Sequence, residues 1–394
     1  MSEQLFPETD ATVDSIDAET LYEQVEDEDD VTLLDVRASS EYDDWHIDGE
    51  NVDVANVPYF EFLDDVDDDL LHRVPDGDPV VVVCAKGGAS EYIAAQLEDN
   101  GFDAVNMDGG MNEWARLYFA TEIDADTDAT VLQYQRPSSG CLSHMVVSDG
   151  EALVADPLRE FTDRYVADAA EYDAEIKYAV DTHIHADHIS GARDLADAVD
   201  SVQAAYPQAS LDRGAAFDPD VVLEDGDELA VGDIVVEAVF TPGHTTGMTS
   251  YLVDDAALFT GDFLFTESVA RPDLEDGDEG APDAARLLYD SLQTLREFDD
   301  DVVVAPGHFS DAATPAADGT YTATLGELFD DMSALSMDKE AFVDFVLSDM
   351  PSRPANYEDI IATNLGEQDP DADEAFELEL GPNNCAASKD AMTE

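Results

Sequence analysis

The sequence predicts two α/β domains in tandem, and three observations carry that prediction. Along residues 14–118, short β-branched or apolar runs alternate with helix-patterned segments, the signature of a small parallel-sheet domain. Residues 119–128, FATEIDADTD, have little pattern beyond acidity and read as a linker. Beyond it, over residues 129–394, four apolar strands each run into a histidine or an aspartate, which suggests side chains converging on one metal centre.

In order, Ser15-Ile-Asp-Ala-Glu19 has the look of a capping box before a short helix. Val31–Val36 and Val80–Val83 read as buried strands, Ser90–Asn100 as a helix, Ala104-Val105 as a short strand, and Gly109-Gly110 as the turn into a helix carrying Trp114. The second domain opens with a strand over Thr130–Gln135 and a hairpin over Met145–Val154, with Asp149-Gly150 at its turn. A helix over Phe161–Ala170 precedes the apolar run Ile176–Val180, and a further helix is expected over Ile189–Val199. Val221–Phe240 reads as several short strands, Ser250–Thr260 as a hairpin around Asp254-Asp255, Ala284–Phe298 as an amphipathic helix and Val302–Ala305 as a last strand. The tail over 320–365 is helical by pattern, a C-terminal helical extension.

Composition bounds the function. With 95 Asp+Glu against 16 Lys+Arg, the formal net charge is -79, spread as -29 over residues 1–120 and -50 over the rest. Without a basic patch, phosphate-backbone contacts are disfavoured and no nucleic-acid partner is expected. Even acidity on a globular pattern indicates a halophile-type protein working in molar salt, where the Debye length falls to about 3 Å. No run of eighteen apolar residues occurs, so no membrane span is expected, and the acidic N-terminus does not read as a signal peptide. Cys84, Cys141 and Cys385 lie far apart and suggest no disulfide framework, so the expected location is cytoplasmic.

The chemistry centres on Asp181-Thr-His-Ile-His-Ala-Asp-His-Ile-Ser-Gly191. Three of the chain's 8 histidines, His183, His185 and His188, fall in six residues with Asp187, at a strand-to-helix turn. Neutral imidazole and carboxylate are the ligands of zinc and of non-haem iron. Thr241-Pro-Gly-His244 and Ala305-Pro-Gly-His308 each place a histidine after a Pro-Gly turn at a strand end, and Leu258–Asp262 places a carboxylate at another. In the first domain, Cys84 follows the Val80–Val83 strand and opens the loop Cys84-Ala-Lys-Gly-Gly-Ala-Ser90 ahead of a helix. Backbone N–H groups there favour a thiolate or its persulfide, with Lys86 adding positive charge and Gly87, Gly88 and Ser90 forming the cradle. Cys141, among apolar residues near a strand, reads as a packing residue, and Arg271 as a cation facing an anionic substrate or an ordinary ion pair.

The ordered set His183, His185, Asp187, His188, His244, Asp262 and His308 resembles the metallo-β-lactamase superfamily over roughly residues 129–310, which implies an αββα sandwich with metal ligands along one edge. Ser138–Ser143, Asp262-Phe-Leu-Phe, Ala270-Arg-Pro-Asp273, Arg353–Tyr357 and Leu380–Cys385 resemble the persulfide dioxygenases within it. That resemblance implies one Fe(II) held by His183, His244 and Asp262, with His185, Asp187, His188 and His308 around it. The superfamily's hydrolases use the same residues for two zinc ions and an activated water. Over residues 14–118 the chain resembles the rhodanese family through Leu34-Asp-Val-Arg37, Glu41-Tyr42, His46-Ile47, Asn56-Val-Pro58 and Gly109–Trp114. It departs from that family at Ala89, where an arginine is usual.

The expected protein is therefore an α/β rhodanese-like domain followed by a metallo-β-lactamase-fold domain. Its expected reaction is iron-dependent oxidation of a low-molecular-weight thiol persulfide by O₂ to sulfite, coupled to sulfane-sulfur transfer on Cys84. Cys84 and Asp187 are the residues assigned to catalysis, and Arg271 joins the Cys84 loop in binding substrate. A two-zinc thioester hydrolase resembling glyoxalase II is the alternative, and an acidic sulfur carrier or sensor is a third reading. The expected partner is a small thiol persulfide or thioester, and a homodimer is carried as the candidate assembly.

Overall fold

The computed structural model describes residues 13–63, 66–310, 312–348, 350 and 353–381. The chain divides into two compact units between Leu117 and Tyr118. Among the described residues no helix is long and apolar enough to cross a membrane.

The first unit is a five-stranded parallel sheet of β1 (Ser15–Ile16), β2 (Val31–Asp35), β3 (Val52–Asn56), β4 (Val80–Val83) and β5 (Ala104–Met107), in the order β1-β5-β4-β2-β3. All four residues of β4 are buried, as a β-branched strand covered on both faces should be. The first helix, Ala18–Glu26, is capped by Asp17, whose carboxylate accepts the Thr20 N–H at 2.7 Å. Ser15 is not the cap, because its backbone pairs with β5.

The second unit contains a seven-stranded and a six-stranded sheet. The first holds β6 (Phe119–Glu122), β7 (Thr130–Arg136), β8 (Cys141–Ser148), β9 (Glu151–Ala155), β10 (Glu175–Val180), β11 (Gln203–Pro207) and β12 (Val221–Leu223), hydrogen-bonded in reverse chain order from β12 to β6. The second runs in chain order through β13 (Glu228–Val231), β14 (Ile234–Phe240), β15 (Thr249–Val253), β16 (Ala257–Gly261), β17 (Val303–Pro306) and β18 (Ala323–Thr324). One core cluster joins Val131, Val146 and Leu153 of one sheet to Val236, Tyr251 and Phe259 of the other. Helix residues Tyr165, Ala169 and Leu195 cover the first sheet's outer face, and Leu288, Leu292 and Phe342 cover the second's. The layering is thus α, β, β, α, with each fully buried Val or Leu contributing roughly 1.5–3 kcal/mol.

Two expectations are corrected. The stretch read as a linker begins with an edge strand: Phe119–Glu122 pairs antiparallel with β7, and Ile123 is buried. Four residues of weak alternation make an edge strand only because β7 is there to pair with them. The helix expected from Ile189 starts at Ala192, because the backbone of Ile189 and Ser190 is held by side chains from elsewhere. Both hairpins form where expected, with positive φ at Asp149, Gly150, Asp254 and Asp255. The tail carries helices over Leu325–Asp331, Lys339–Val346, Tyr357–Asn364 and Ala372–Leu378. Cys385 lies outside the described residues.

Candidate functional site

Four strand ends deliver the expected ligands to one buried region: the loop after β10, the turn after β14, and the residues directly following β16 and β17. His183, His185, Asp187, His188, His244, Asp262 and His308 are all buried. Gly307 permits the last approach, since a Cβ there would sit 2.9 Å from Asp262 Oδ1 and 3.0 Å from the Gly261 backbone.

These side chains differ in which of their polar atoms carry hydrogen bonds. His244 Nδ1 lies 2.9 Å from the Arg271 carbonyl, which can only accept, so the proton sits on Nδ1 and the Nε2 lone pair is exposed to the site. The Thr182 hydroxyl donates to Asp156 Oδ2 at 3.0 Å, so it accepts from His183 Nδ1 at 2.9 Å, and His183 Nε2 is likewise left with its lone pair. Burial pushes both imidazoles below their usual range, keeping them neutral. His183 Nε2 and His244 Nε2 stand 3.8 and 3.7 Å from Asp262 Oδ2, and none of these three buried atoms has a hydrogen-bond partner. Burial alone would raise Asp262, but His308, then His183 and His244, hold its carboxyl below the ordinary range. Two neutral nitrogens and one carboxylate oxygen, unpaired and converging, fit a metal ion.

The remaining imidazoles each meet a carboxylate, although His185 Nδ1 and His188 Nε2 are buried without a hydrogen-bond partner, like the three atoms above. His308 places Nδ1 2.6 Å from Asp262 Oδ1 and Nε2 3.0 Å from Asp187 Oδ2. Burial opposes its charge, yet Asp262 and Asp187 raise its pKa well above the usual value. His188 Nδ1 lies 2.7 Å from Asp187 Oδ2, and that contact raises His188 against burial in the same way. His185 Nε2 faces Asp156 Oδ1 at 3.1 Å; burial and His188 lower it, but Asp156 and Asp181 bring it up to about 9.

Sequence reasoning missed several members. Cys141 is buried, as a packing residue would be, but its Sγ also lies 3.3 Å from Asp187 Oδ2, and it forms a metal-competent group with Asp187 and His188. Asp156, one residue past β9, anchors Thr182 and His185. Its position at a strand end was the signal available. Arg271 is buried with its guanidinium on Asp273 at 2.8 and 3.1 Å, and its carbonyl accepts from His244 Nδ1 at the histidine centre. Its side chain also borders a cavity of about 680 Å³ with Asp273, Arg353, Pro282 and Leu347.

In the first unit, Cys84 Sγ receives the Gly87 N–H at 3.1 Å and lies 3.2 Å from Ser90 Oγ. The loop is pinned from the other side by Met111 N–H on the Cys84 carbonyl at 2.8 Å and Asn112 N–H on that of Ala85 at 3.0 Å. Gly87 has φ 83°, and a Cβ there would meet the Gly109 nitrogen at 2.8 Å. Gly88 begins the helix Gly88–Asp99, and Lys86 is exposed.

Residues 137–308 match the metallo-beta-lactamase superfamily and residues 17–117 the rhodanese-like domain. Human mitochondrial persulfide dioxygenase ETHE1 is 31% identical over 160 residues, 40% of this chain and 59% of that protein. Hydroxyacylglutathione hydrolase of Francisella tularensis subsp. novicida (strain U112) is 29% identical over 169 residues, covering 42% and 61%. The chain thus spans about three fifths of the length of these relatives. A metallo-beta-lactamase from Staphylococcus aureus subsp. aureus COL superposes with TM-score 0.56 at 27% identity, over 61% of this chain and 73% of that one. ETHE1 from Myxococcus xanthus gives 0.51 at 27% identity, over 60% and 98%.

Proposed function

We propose that this chain, which joins a rhodanese-like domain to a metallo-beta-lactamase domain, oxidises a low-molecular-weight thiol persulfide with O₂ at a single-iron site and carries sulfane sulfur on Cys84. The observation that supports the single-metal reading is the engagement of His308. Its two ring nitrogens face Asp262 Oδ1 and Asp187 Oδ2 at 2.6 and 3.0 Å, which leaves the Asp262 Oδ2 edge for one ion with His183 and His244. A two-zinc hydrolase would need His308 and Asp187 as ligands of a second ion. Iron(II) on the His183, His244 and Asp262 face would supply open coordination positions and a redox couple for O₂ chemistry.

The overall change balances as RSSH + O₂ + H₂O → RSH + HSO₃⁻ + H⁺. The sulfane sulfur loses four electrons and O₂ gains four. This chain's own residues orient the two imidazoles through Thr182 and the Arg271 carbonyl, and hold protons on His308 between two carboxylates. They also keep bulk water out, since every one of these side chains is buried. On Cys84, the Gly87 N–H and Ser90 hydroxyl would steady an anionic sulfur. The two-zinc thioester hydrolase stays as a second reading because Asp187, Asp262 and His308 also form a metal-competent group.

Metal stoichiometry paired with O₂ uptake on a persulfide substrate tests the reading. One iron per chain is expected, and His308→Ala should leave that iron bound. Two zinc ions per chain, thioester turnover and no O₂ uptake would overturn it.

A further inference from the structure

The histidine loop from Asp181 to Gly191 has no regular secondary structure, so its buried backbone groups need partners from elsewhere. Some come from nearby strands. The Thr182 N–H goes to Asp156 at 2.7 Å, the Thr182 carbonyl accepts the Thr249 N–H at 2.9 Å, and the Asp181 carbonyl accepts the Tyr251 hydroxyl at 2.8 Å. In the far half the Ile189 carbonyl accepts the Arg159 N–H at 2.9 Å and the Gly191 N–H goes to the Pro157 carbonyl at 2.6 Å, and the remaining partners come from residues nearly two hundred positions away.

Asn364, at the end of the helix Tyr357–Asn364, is buried. Its Nδ2 donates to the carbonyls of His185 and His188 at 3.0 and 2.8 Å, and its Oδ1 accepts the Ser190 N–H at 2.9 Å. Glu379 accepts the Ile189 N–H at 2.8 Å through Oε1, while its Oε2 is held by buried Arg136 at 2.6 Å. Apolar packing follows the same route. Ile189 clusters with Ile360, Ala375 and Leu378, and Ala186 with Leu274, Tyr357 and Ile361. Asn364 and Glu379 both lie outside the 137–308 segment that matches the superfamily.

We propose that segment 353–381 completes the metal centre, with Asn364 as a positioning residue that fixes the loop carrying His183, His185 and His188. Its carboxamide offers two donors and an acceptor from one rigid plane, which is what two carbonyls and one N–H on the same loop require. The inference rests on the reading that this loop holds a metal ion, and it is the same for one ion or two.

The test uses the full chain, stripped of metal and titrated with cobalt(II) chloride against a competing chelator, with visible spectra and metal-free thermal melts recorded alongside. Asn364→Ala and Asn364→Asp should each weaken cobalt(II) binding about 10- to 100-fold, the range for residues that orient ligands, and change the d–d spectrum. Asn364→Asp keeps the shape and the acceptor for Ser190 but turns an oxygen toward two carbonyls, so it carries the test if the alanine variant does not fold. Val343→Ala, which removes buried packing from the helix Lys339–Val346 outside segment 353–381, should lower the melting temperature and leave the spectrum unchanged. Wild-type cobalt affinity and spectrum in both Asn364 variants would overturn the proposal, as would an equal spectral change in Val343→Ala. Failure of the dioxygenase reading shows separately, as absent O₂ uptake by the iron-loaded wild type.

Discussion

The Cys84 loop and the histidine centre are built by opposite means. Cys84 draws its partners from the next six residues, the Gly87 N–H and the Ser90 hydroxyl, with two more backbone contacts from residues 111 and 112. The histidine centre draws on β9, β10, β14, β16 and β17 and on a helix ending at residue 364; its imidazole–carboxylate pairs span up to 121 positions and the side-chain contacts that hold its loop up to 190. A local loop tolerates substitution around it as long as its backbone shape survives. A convergent centre couples every member, because each carboxylate there also sets the charge of an imidazole.

That difference sets the sizes of the expected effects. Asp262→Ala should be the most damaging, because it removes a proposed ligand and one partner of His308 together. Loss of an orienting partner costs about 10–100-fold in metal affinity, and loss of a ligand should exceed that. Metal retained after gel filtration measures it, and wild-type retention would break the convergent picture. Cys84→Ser should reduce sulfur transfer from thiosulfate to background while O₂ uptake on free persulfide stays at the wild-type rate. Ala89→Arg, restoring a cation beside the loop, should raise transfer severalfold in a steady-state assay; a fall would show that the loop's shape, not its charge, limits it.

Salt should separate the two regions further. Residues 1–120 carry -29 and include both tryptophans, Trp45 and Trp114, so tryptophan fluorescence follows the first unit alone. Between about 0.1 and 1 M KCl the Debye length falls from roughly 10 to 3 Å, and the fluorescence melting midpoint should rise. A flat midpoint would remove charge screening as a stabilising factor there.

The last expected effect, confined to acid pH, is a pH dependence in the second unit. His144 is buried and stacked on Phe259 with centroids 4.5 Å apart, and burial pushes it down to about 3 from 6.5. The unfolded chain binds the proton more readily, so stability from this group is full above pH 6.5 and is lost as pH falls toward 3. The steepest slope is about 1.4 kcal/mol per pH unit. His144→Gln should flatten the denaturation profile in that window relative to wild type, and parallel profiles would show that His144 titrates normally.

The sequence by itself determined the tandem α/β plan, the two hairpins and the strand ends bearing His183, His244, Asp262 and His308. Apolar period and Pro-Gly, Asp-Gly and Asp-Asp turns are local properties that survive without neighbours. It also showed the Cys84 loop, whose partners sit within six residues. Tertiary structure decided what depends on distant partners. Phe119–Glu122 is a strand only because β7 lies beside it, and Cys141 faces Asp187 only because β8 begins at that edge. His183 and His244 expose Nε2 because Thr182 and the Arg271 carbonyl take the other nitrogen, while His308 gives both nitrogens to carboxylates. Asn364, in a helix with no chemical pattern of its own, became part of the site because a buried loop without regular structure must find donors and acceptors somewhere, and the C-terminal helix is what packs against it.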